Sequence, residues 1–134
     1  MAFSRRYHQQ AAYRSGLEVS FARDLEARGV PYTYEDEVIR FMQPEKPRRY
    51  TPDFIVTTQS GKKIVVETKG MFTAADRQKH LWVREQHPEV DLRFVFNRSK
   101  AKISKTSKTT YAAWCEKNGF LYADKVIPQE WLDE

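Results

Sequence analysis

Two carboxylates and a lysine stand at the ends of two adjacent apolar stretches of this chain. Asp53 opens the first stretch, and Glu67 and Lys69 close the second. Because side chains alternate across a strand, Glu67 and Lys69, two residues apart, share one face. If the two stretches pair as a hairpin, Asp53 lies at the same end as Glu67 and Lys69. The spacing therefore predicts two carboxylates and an ammonium on one side of a small sheet.

Such a cluster points to metal-dependent hydrolysis of a phosphodiester. Neighbouring carboxylates repel each other unless a cation joins them. Mg²⁺ or Mn²⁺ binds carboxylate oxygens together with several waters, generates a nucleophile from one water and polarises a phosphoryl oxygen. Lys69 would orient the water or offset charge on the phosphate. The plainer alternative is a turn-opening Pro-Asp dipeptide beside an ordinary exposed strand, but the adjacent Val65 and Val66 indicate burial of both strand faces.

Two strands and a turn would position these groups. The segment 50–58 is rich in aromatic and β-branched residues, 59–61 is turn material, and 62–69 contains the second apolar run. Upstream, a helix is expected from Ser15 to about Arg28, ended by a glycine. Its apolar stripe consists of Leu17, Phe21 and Leu25.

The sequence is compatible with two roles for the Glu18 side chain. With Ser15 it fits a capping box, in which its side chain bonds back to the Ser15 amide. The alternative is that Glu18 supplies a third carboxylate to the site at Asp53 and Glu67.

The segment after this helix predicts extended structure. Residues 32–41 read as one strand, and two prolines in 42–49 forbid a helix there. We expect residues 41–49 to form a semi-rigid extended connector, either a surface loop or an element reaching a partner subunit in a swapped dimer.

The remaining elements follow from capping and breaker residues. A helix is expected to begin at Thr73, with Asp76 completing a capping box, and to stop before Pro88. A strand at 92–96, a helix near 109–118 and a short helix after Pro128 complete the pattern.

The charge distribution suits a polyanionic partner. The chain carries 23 Lys and Arg against 18 Asp and Glu, a net charge of +5. Residues 1–14 form a basic N-terminal arm, and residues 98–108 a basic, hydroxyl-rich loop suited to phosphate contacts. Both could instead be ordinary solvated surface. The candidate DNA-binding residues are Arg5, Arg6, Arg14, Arg98, Lys100, Lys102 and Lys105.

Length and composition indicate one globular domain spanning residues 1–134, with 40% hydrophobic residues. The single Cys115 excludes an internal disulfide framework and fits a reducing cytoplasm. No secretory leader or membrane-spanning run is expected.

Five blocks of the chain resemble a known nuclease family. Pro52-Asp53, with Glu67-Thr68-Lys69 on the next strand and a helical glutamate before them, resembles the PD-(D/E)xK superfamily. More narrowly, the chain resembles endonuclease I, the Holliday-junction resolvase of T-odd phages. The blocks are 14–18 (RSGLE), 50–54 (YTPDF), 66–70 (VETKG), 84–89 (REQHPE) and 123–125 (ADK). The departures are a shorter N-terminal arm and the lack of a basic C-terminal extension.

This resemblance implies a restriction-endonuclease-like α/β fold in a domain-swapped homodimer, with the connector near 41–49 bridging the halves. It implies Glu18, Asp53, Glu67 and Lys69 as catalytic residues. Asp53 and Glu67 would hold one Mg²⁺, and Glu18 and Asp53 a second, with Mn²⁺ as a substitute. Each site would take Glu18 from one chain and the other three residues from its partner. The substrate would be four-way and other branched DNA, cut in a bacterial host's cytoplasm.

Two rival functions remain open from the sequence. One is a PD-(D/E)xK nickase, repair or restriction nuclease acting on duplex DNA, which would need no swapped connector. The other is a non-catalytic DNA-binding module, in which the basic loop matters and the carboxylates only support the structure.

Overall fold

The computed structural model describes residues 13–43 and 45–134. Arg5 and Arg6 of the expected basic arm lie outside these residues. The elements are, in chain order, α1 (Gly16–Ala27), β1 (Tyr32–Tyr34), β2 (Ile39–Gln43), β3 (Lys46–Tyr50), β4 (Phe54–Thr57), β5 (Lys63–Lys69), α2 (Ala74–Gln86), β6 (Leu92–Phe96), α3 (Tyr111–Asn118), β7 (Tyr122–Asp124) and α4 (Gln129–Leu132).

A mixed five-stranded sheet, ordered β1-β4-β5-β6-β7, forms the centre of the fold. Strands β1, β4 and β5 pair antiparallel, whereas β5, β6 and β7 pair parallel. The predicted hairpin is confirmed, because Phe54 lies opposite Val66 and Thr57 opposite Lys63. Its register puts Asp53 across from Glu67, as the spacing requires. The α/β class, with a mixed sheet flanked by helices, is therefore confirmed.

Both faces of this sheet are covered by apolar residues. On one face, Phe21 and Leu25 of α1 pack in a cluster that includes Val66. On the other, Val83 of α2 packs in a cluster that includes Val65. Successive residues of β5 thus enter opposite cores, which explains the unbroken apolar run of this strand. Glu67 and Lys69 follow on the face that α2 covers.

Local capping fixes where the helices begin and end. Ser15 accepts a hydrogen bond from the Glu18 amide at 3.1 Å and caps α1. Thr73 and Asp76 form the expected capping box at α2. Gly119 ends α3 in the left-handed conformation, with φ of 75°, which a residue without a Cβ adopts without strain.

The expected single strand over residues 32–41 is wrong. It is two strands in different sheets, separated where Glu35 adopts a positive φ of 48°. The backbone amide of Glu35 donates to the Asp53 carbonyl at 3.0 Å, which closes the pairing of β1 with β4. The chain then leaves the central sheet.

Within the expected connector, the described residues up to Gln43 and from Lys46 onward are extended, but they do not continue in one direction. Strands β2 and β3 pair antiparallel as a separate two-stranded sheet, with Gln43 opposite Lys46. Both the amide and the carbonyl of Met42 bond to the Gln86 side chain of α2. These groups therefore face away from β3, so the opposing Pro47 forfeits no ladder hydrogen bond by lacking an N–H.

The same alternation brings two arginines face to face. Arg40 lies directly opposite Arg49, and the Arg40 carbonyl points outward to His87. Arg40 and Arg49 thus form a non-hydrogen-bonded pair, the kind in which opposing side chains are closest. Like charges in that arrangement destabilise a hairpin.

Among the described residues no helix is long and apolar enough to cross a membrane. The bridging of two chains by residues 41–49 is untested by a single chain and stays a prediction.

Candidate active site

Asp53 stands at the centre of the site, just before β4 begins. Its Oδ2 atom accepts two hydrogen bonds from Thr68, at 3.0 Å from the amide and 2.9 Å from the hydroxyl. The residue is only 3% exposed. With Oδ2 occupied by Thr68, the Oδ1 atom is directed to the other charged groups of the site.

Glu67 is fixed from the opposite strand. Its Oε2 atom accepts from the Tyr50 hydroxyl at 2.6 Å and from the Asp53 amide at 3.3 Å. Burial, followed by the Glu67 charge, raises the pKa of Tyr50 well above its usual range, so the hydroxyl stays a donor. The Oε1 atom of Glu67 is left facing Lys69, whose Nζ lies 3.5 Å away.

Lys69 lies between two carboxylates. Besides Glu67, its Nζ contacts Oδ1 of Asp76 at 3.5 Å. Burial opposes ionisation of Asp76, but Lys69 and the Thr73 hydrogen bonds outweigh it and lower the Asp76 pKa. The first turn of α2 therefore helps to hold the lysine.

Glu18 reaches the site from the helix on the other side of the sheet. Its Oε1 atom accepts from the Arg14 amide at 2.7 Å and from the Tyr34 hydroxyl at 3.0 Å. The expected capping box is thus only half present: Ser15 caps the Glu18 amide, while the Glu18 carboxylate turns to Arg14 and Tyr34. This side chain is buried, at 5% exposure, and lies in the same chain as Asp53.

Glu35 joins these carboxylates and was not anticipated as a site residue. One ligand atom each from Glu18, Glu35 and Asp53 lie within 4.8 Å of one another. The pairing of β1 with β4 puts Glu35 beside Asp53. That pairing joins segments distant in the sequence, and the expected strand over residues 32–41 had Glu35 in its interior, so no sequence signal marked Glu35 as a site residue.

Arg14 lies against this group of three carboxylates. Its Nη2 atom is 2.8 Å from Glu35 Oε2 and 3.5 Å from Asp53 Oδ1. The Arg14 side chain is nonetheless 68% exposed.

The electrostatics of the site favour a cation. Burial, then the charges of Glu67 and Glu18, raise the pKa of Asp53 to about 8. Burial also raises the pKa of Glu67, against the opposing effect of Lys69. A divalent ion would relieve this mutual repulsion, and carboxylate oxygens are the ligands that Mg²⁺ and Mn²⁺ prefer. Asp53 Oδ1, Glu18 and Glu35 offer such ligands, so the residues present fit a metal.

The residues selected from the sequence lie together at one end of the sheet within this one chain. Glu67 and Lys69 come from β5, Asp53 from the start of β4, and Glu18 from α1. Glu67 is not among the three residues whose ligand atoms all lie within 4.8 Å of one another. Residues missed by sequence reasoning are Glu35, Tyr50, Thr68 and Asp76 as partners of the site.

The basic loop leaves the sheet next to Lys69. The Asn97 amide, directly after β6, donates to the Lys69 carbonyl at 3.0 Å. Asp124 accepts from both the amide and the hydroxyl of Ser99, which anchors the loop. The side chains exposed along it include Arg98, Lys100, Lys102 and Lys105. None of them forms an ion pair within the part of the chain that the structure describes.

Known proteins match the chain along its length. A family model described as "Phage endonuclease I" matches residues 1–134. "Endodeoxyribonuclease 1" of Enterobacteria phage T3 is 46% identical over 127 residues, which cover 95% of this chain and 81% of that protein. "Endonuclease I" of Escherichia phage T7 is 46% identical over 123 residues, 92% of this chain and 80% of that protein.

Proposed function

Because this chain belongs to the phage endonuclease I family, we propose that it is a metal-dependent endodeoxyribonuclease that resolves four-way and other branched DNA junctions. The observation that carries the proposal is the meeting of Glu18, Asp53, Glu67 and Lys69 at one end of the sheet. The relatives' names state an endonuclease or endodeoxyribonuclease. Junction preference and metal dependence are the further content of the proposal.

In this proposal Asp53 and Glu67 hold one Mg²⁺, and Glu18 with Asp53 holds a second, with Mn²⁺ able to substitute. When bound, the ions supply Lewis acidity that activates water and stabilises the departing oxygen. Thr68 and Tyr50 keep the two strand-borne carboxylates in fixed rotamers through the hydrogen bonds described above. Preorganised ligands of this kind cost no rearrangement during the reaction.

Lys69 is the proposed partner of the attacking water. Its ammonium, held between Glu67 and Asp76, can donate to the water while its charge offsets the charge that builds on the phosphate. Asp76 keeps the Nζ at the carboxyl end of β5. The scissile phosphate would therefore approach this end of the sheet, beside the basic loop.

DNA contacts are proposed for Arg14 and for the loop residues Arg98, Lys100, Lys102 and Lys105. Arg5 and Arg6 are proposed from the sequence alone. Contacts to phosphates position a protein without reading bases. Specificity would then come from the shape and bendability of the junction. A phage nuclease would meet such DNA in the cytoplasm of its bacterial host.

We further propose a restriction-endonuclease-like fold in a domain-swapped homodimer. Opening the β2–β3 hairpin would let α1 and β1 of one chain pack on β4 and β5 of a second. Exchange of an identical element re-forms the same contacts between chains. Glu18 of one protomer would then complete a site whose other three residues belong to its partner.

The experiment that tests this function compares a synthetic four-way junction with linear duplexes matched to its arms. Mg²⁺-dependent paired cuts in the junction, absent with EDTA and lost in Glu67→Ala, are expected. Equal cutting of both substrates would instead indicate a duplex nuclease. Junction binding without any cutting would leave a shape-specific DNA-binding protein.

A further inference from the structure

We propose that Arg14 acts as a built-in substitute for the second metal ion, and that DNA loads this metal by drawing Arg14 onto a phosphate. The inference rests on the proposed nuclease function and adds a role for a residue outside the four catalytic ones. Arg14 would be a positioning residue that couples two ligands, the substrate and the cation.

The guanidinium of Arg14 lies against two of the clustered carboxylates. It bridges Glu35 Oε2 at 2.8 Å and Asp53 Oδ1 at 3.5 Å. These two carboxylates, with Glu18, are the described acidic groups whose ligand atoms lie within 4.8 Å of one another. A monovalent cation of the protein is thus paired with two of the three carboxylates that could hold a divalent ion.

The backbone of Arg14 is held in place while its side chain is exposed to solvent. The Arg14 amide donates to Glu18 Oε1 at 2.7 Å, so the backbone is tied to the same carboxylates. The side chain itself is 68% exposed, whereas that of Asp53 is 4% exposed. Arg14 can therefore swing from a buried carboxylate to an incoming phosphate without moving its own backbone.

The chemistry of the guanidinium is a further support. A guanidinium binds carboxylates and phosphates with the same planar set of donors, so a DNA phosphate can replace the acids as its partner. Leaving Asp53 and Glu35 without Arg14 would restore their repulsion, which a divalent cation then relieves. Phosphate binding by Arg14 and metal binding by the acids would favour each other.

Such coupling has a thermodynamic consequence. If DNA raises the affinity for metal by some factor, the metal must raise the affinity for DNA by the same factor. Replacing Arg14 by a neutral residue should therefore change three quantities together. Metal affinity without DNA should rise, DNA affinity should fall, and the coupling factor should approach one.

The test measures Mn²⁺ binding in two ways, by calorimetry and by the loss of the electron paramagnetic resonance signal of free Mn²⁺. Arg14→Gln is compared with wild type and with Arg23→Gln. Arg23 is an exposed arginine of α1 that forms no ion pair with the described residues, so this control loses the same charge elsewhere. A second series adds junction DNA in a Lys69→Met background, which prevents cleavage but retains every carboxylate.

In Arg14→Gln we expect Mn²⁺ affinity without DNA to rise at least about fivefold, and the enhancement by DNA to shrink by a similar factor. Arg23→Gln should change neither. Unchanged Mn²⁺ affinity in Arg14→Gln, with only DNA affinity reduced, would show an ordinary phosphate contact and overturn the inference. Weaker Mn²⁺ binding would overturn it too, since Arg14 would then support the site. No Mn²⁺ binding by wild type or Lys69→Met, with or without junction DNA, would refute the proposed function itself.

Discussion

Asp53 is held in two opposing ways: Thr68 stabilises its ionised form, whereas burial and the charges of Glu67 and Glu18 disfavour it. The balance raises its pKa to about 8 in the metal-free protein. An unfolded aspartate has a pKa of about 3.9. Between these two pH values the folded state retains a proton that the unfolded state releases. The contribution of Asp53 to stability is therefore full below the unfolded pKa and is lost as pH rises through about 8.

We accordingly expect Asp53→Asn to stabilise the metal-free protein at pH 8.5, by on the order of a few kcal/mol, and to change it little at pH 4. Urea unfolding in EDTA at several pH values measures this. Saturating Mg²⁺ should stabilise wild type but not the variant. Parallel pH profiles for the two proteins would mean that Asp53 titrates normally.

His80 shows the opposite sign of pH dependence. It is 0% exposed, lies with its ring centroid 5.1 Å from that of Tyr50, and has no hydrogen-bond partner for either ring nitrogen among the described residues. Burial, then the charges of Lys69 and Lys79, lower its pKa well below 6.5. Stability is thus fully present above about pH 6.5 and is lost as pH falls and the unfolded state takes up a proton.

His80→Phe should remove this acid sensitivity. The variant is expected to gain about 1 kcal/mol over wild type at pH 5.5 relative to pH 8, because phenylalanine takes up no proton in the unfolded state. Thermal unfolding at the two pH values is sufficient. An equal change at both pH values would mean that folding does not shift the pKa of His80.

At the level of elements, the basic loop leaves the sheet beside the Lys69 backbone and is anchored by Asp124. If its side chains contact phosphates, Lys100→Ala with Lys102→Ala should lower junction affinity and reduce the slope of log K against log salt by about two. Fluorescence anisotropy in EDTA measures binding without cleavage. Arg23→Ala with Lys117→Ala is the charge-matched control, and an unchanged slope in the loop variant would argue against the contacts.

The parts of the site that sequence reasoning found are the local ones. Asp53, Glu67 and Lys69 lie on one hairpin, whose alternation and turn fix their relative positions within twenty residues. Glu35 could not be found in this way, because it reaches Asp53 only through the pairing of β1 with β4. Likewise, the alternation over residues 32–41 suggested one continuous strand, whereas the backbone at Glu35 leaves the sheet.

For the helices and the connector too, the sequence predicted the features that depend on nearby residues and not those that depend on distant contacts. Capping residues located α1 and α2 well, since a cap is a contact within one turn. Two prolines indicated extended backbone at 42–49, but not its direction. The resulting β2–β3 hairpin is bonded to α2 through Gln86 and Met42, a contact between residues 44 positions apart that the local sequence could not indicate.

For the whole molecule, the proposed domain swap predicts that each active site combines residues from two chains. In the single chain Glu18 already lies beside Asp53, and exchange would re-form that contact between protomers. Mixing Glu18→Ala with Lys69→Ala protomers should then regenerate dimers with one intact site and recover up to about half of the activity of a wild-type pair.

Junction cleavage after unfolding and refolding the mixture measures this recovery, and mass spectrometry of labelled chains verifies the heterodimers. Each variant refolded alone is the control. Inactive heterodimers would mean that each site is built within one chain.

If chains exchange as proposed, the opposition of Arg40 and Arg49 should make the monomer-to-dimer ratio depend on the salt concentration at which the protein refolds. Their repulsion penalises the closed hairpin, and salt screens it, so refolding at low ionic strength should favour opened, exchanged chains and refolding at high ionic strength closed ones. Exchange requires partial unfolding, so a population once formed would persist after the buffer is changed. Size-exclusion chromatography of samples refolded at 20 mM and at about 1 M salt, then brought to one buffer, should show two different monomer-to-dimer ratios. Arg49→Thr removes the repulsion and should give the same monomer-to-dimer ratio after refolding at either salt concentration. In wild type the ratio would continue to reflect the salt concentration at which the protein refolded.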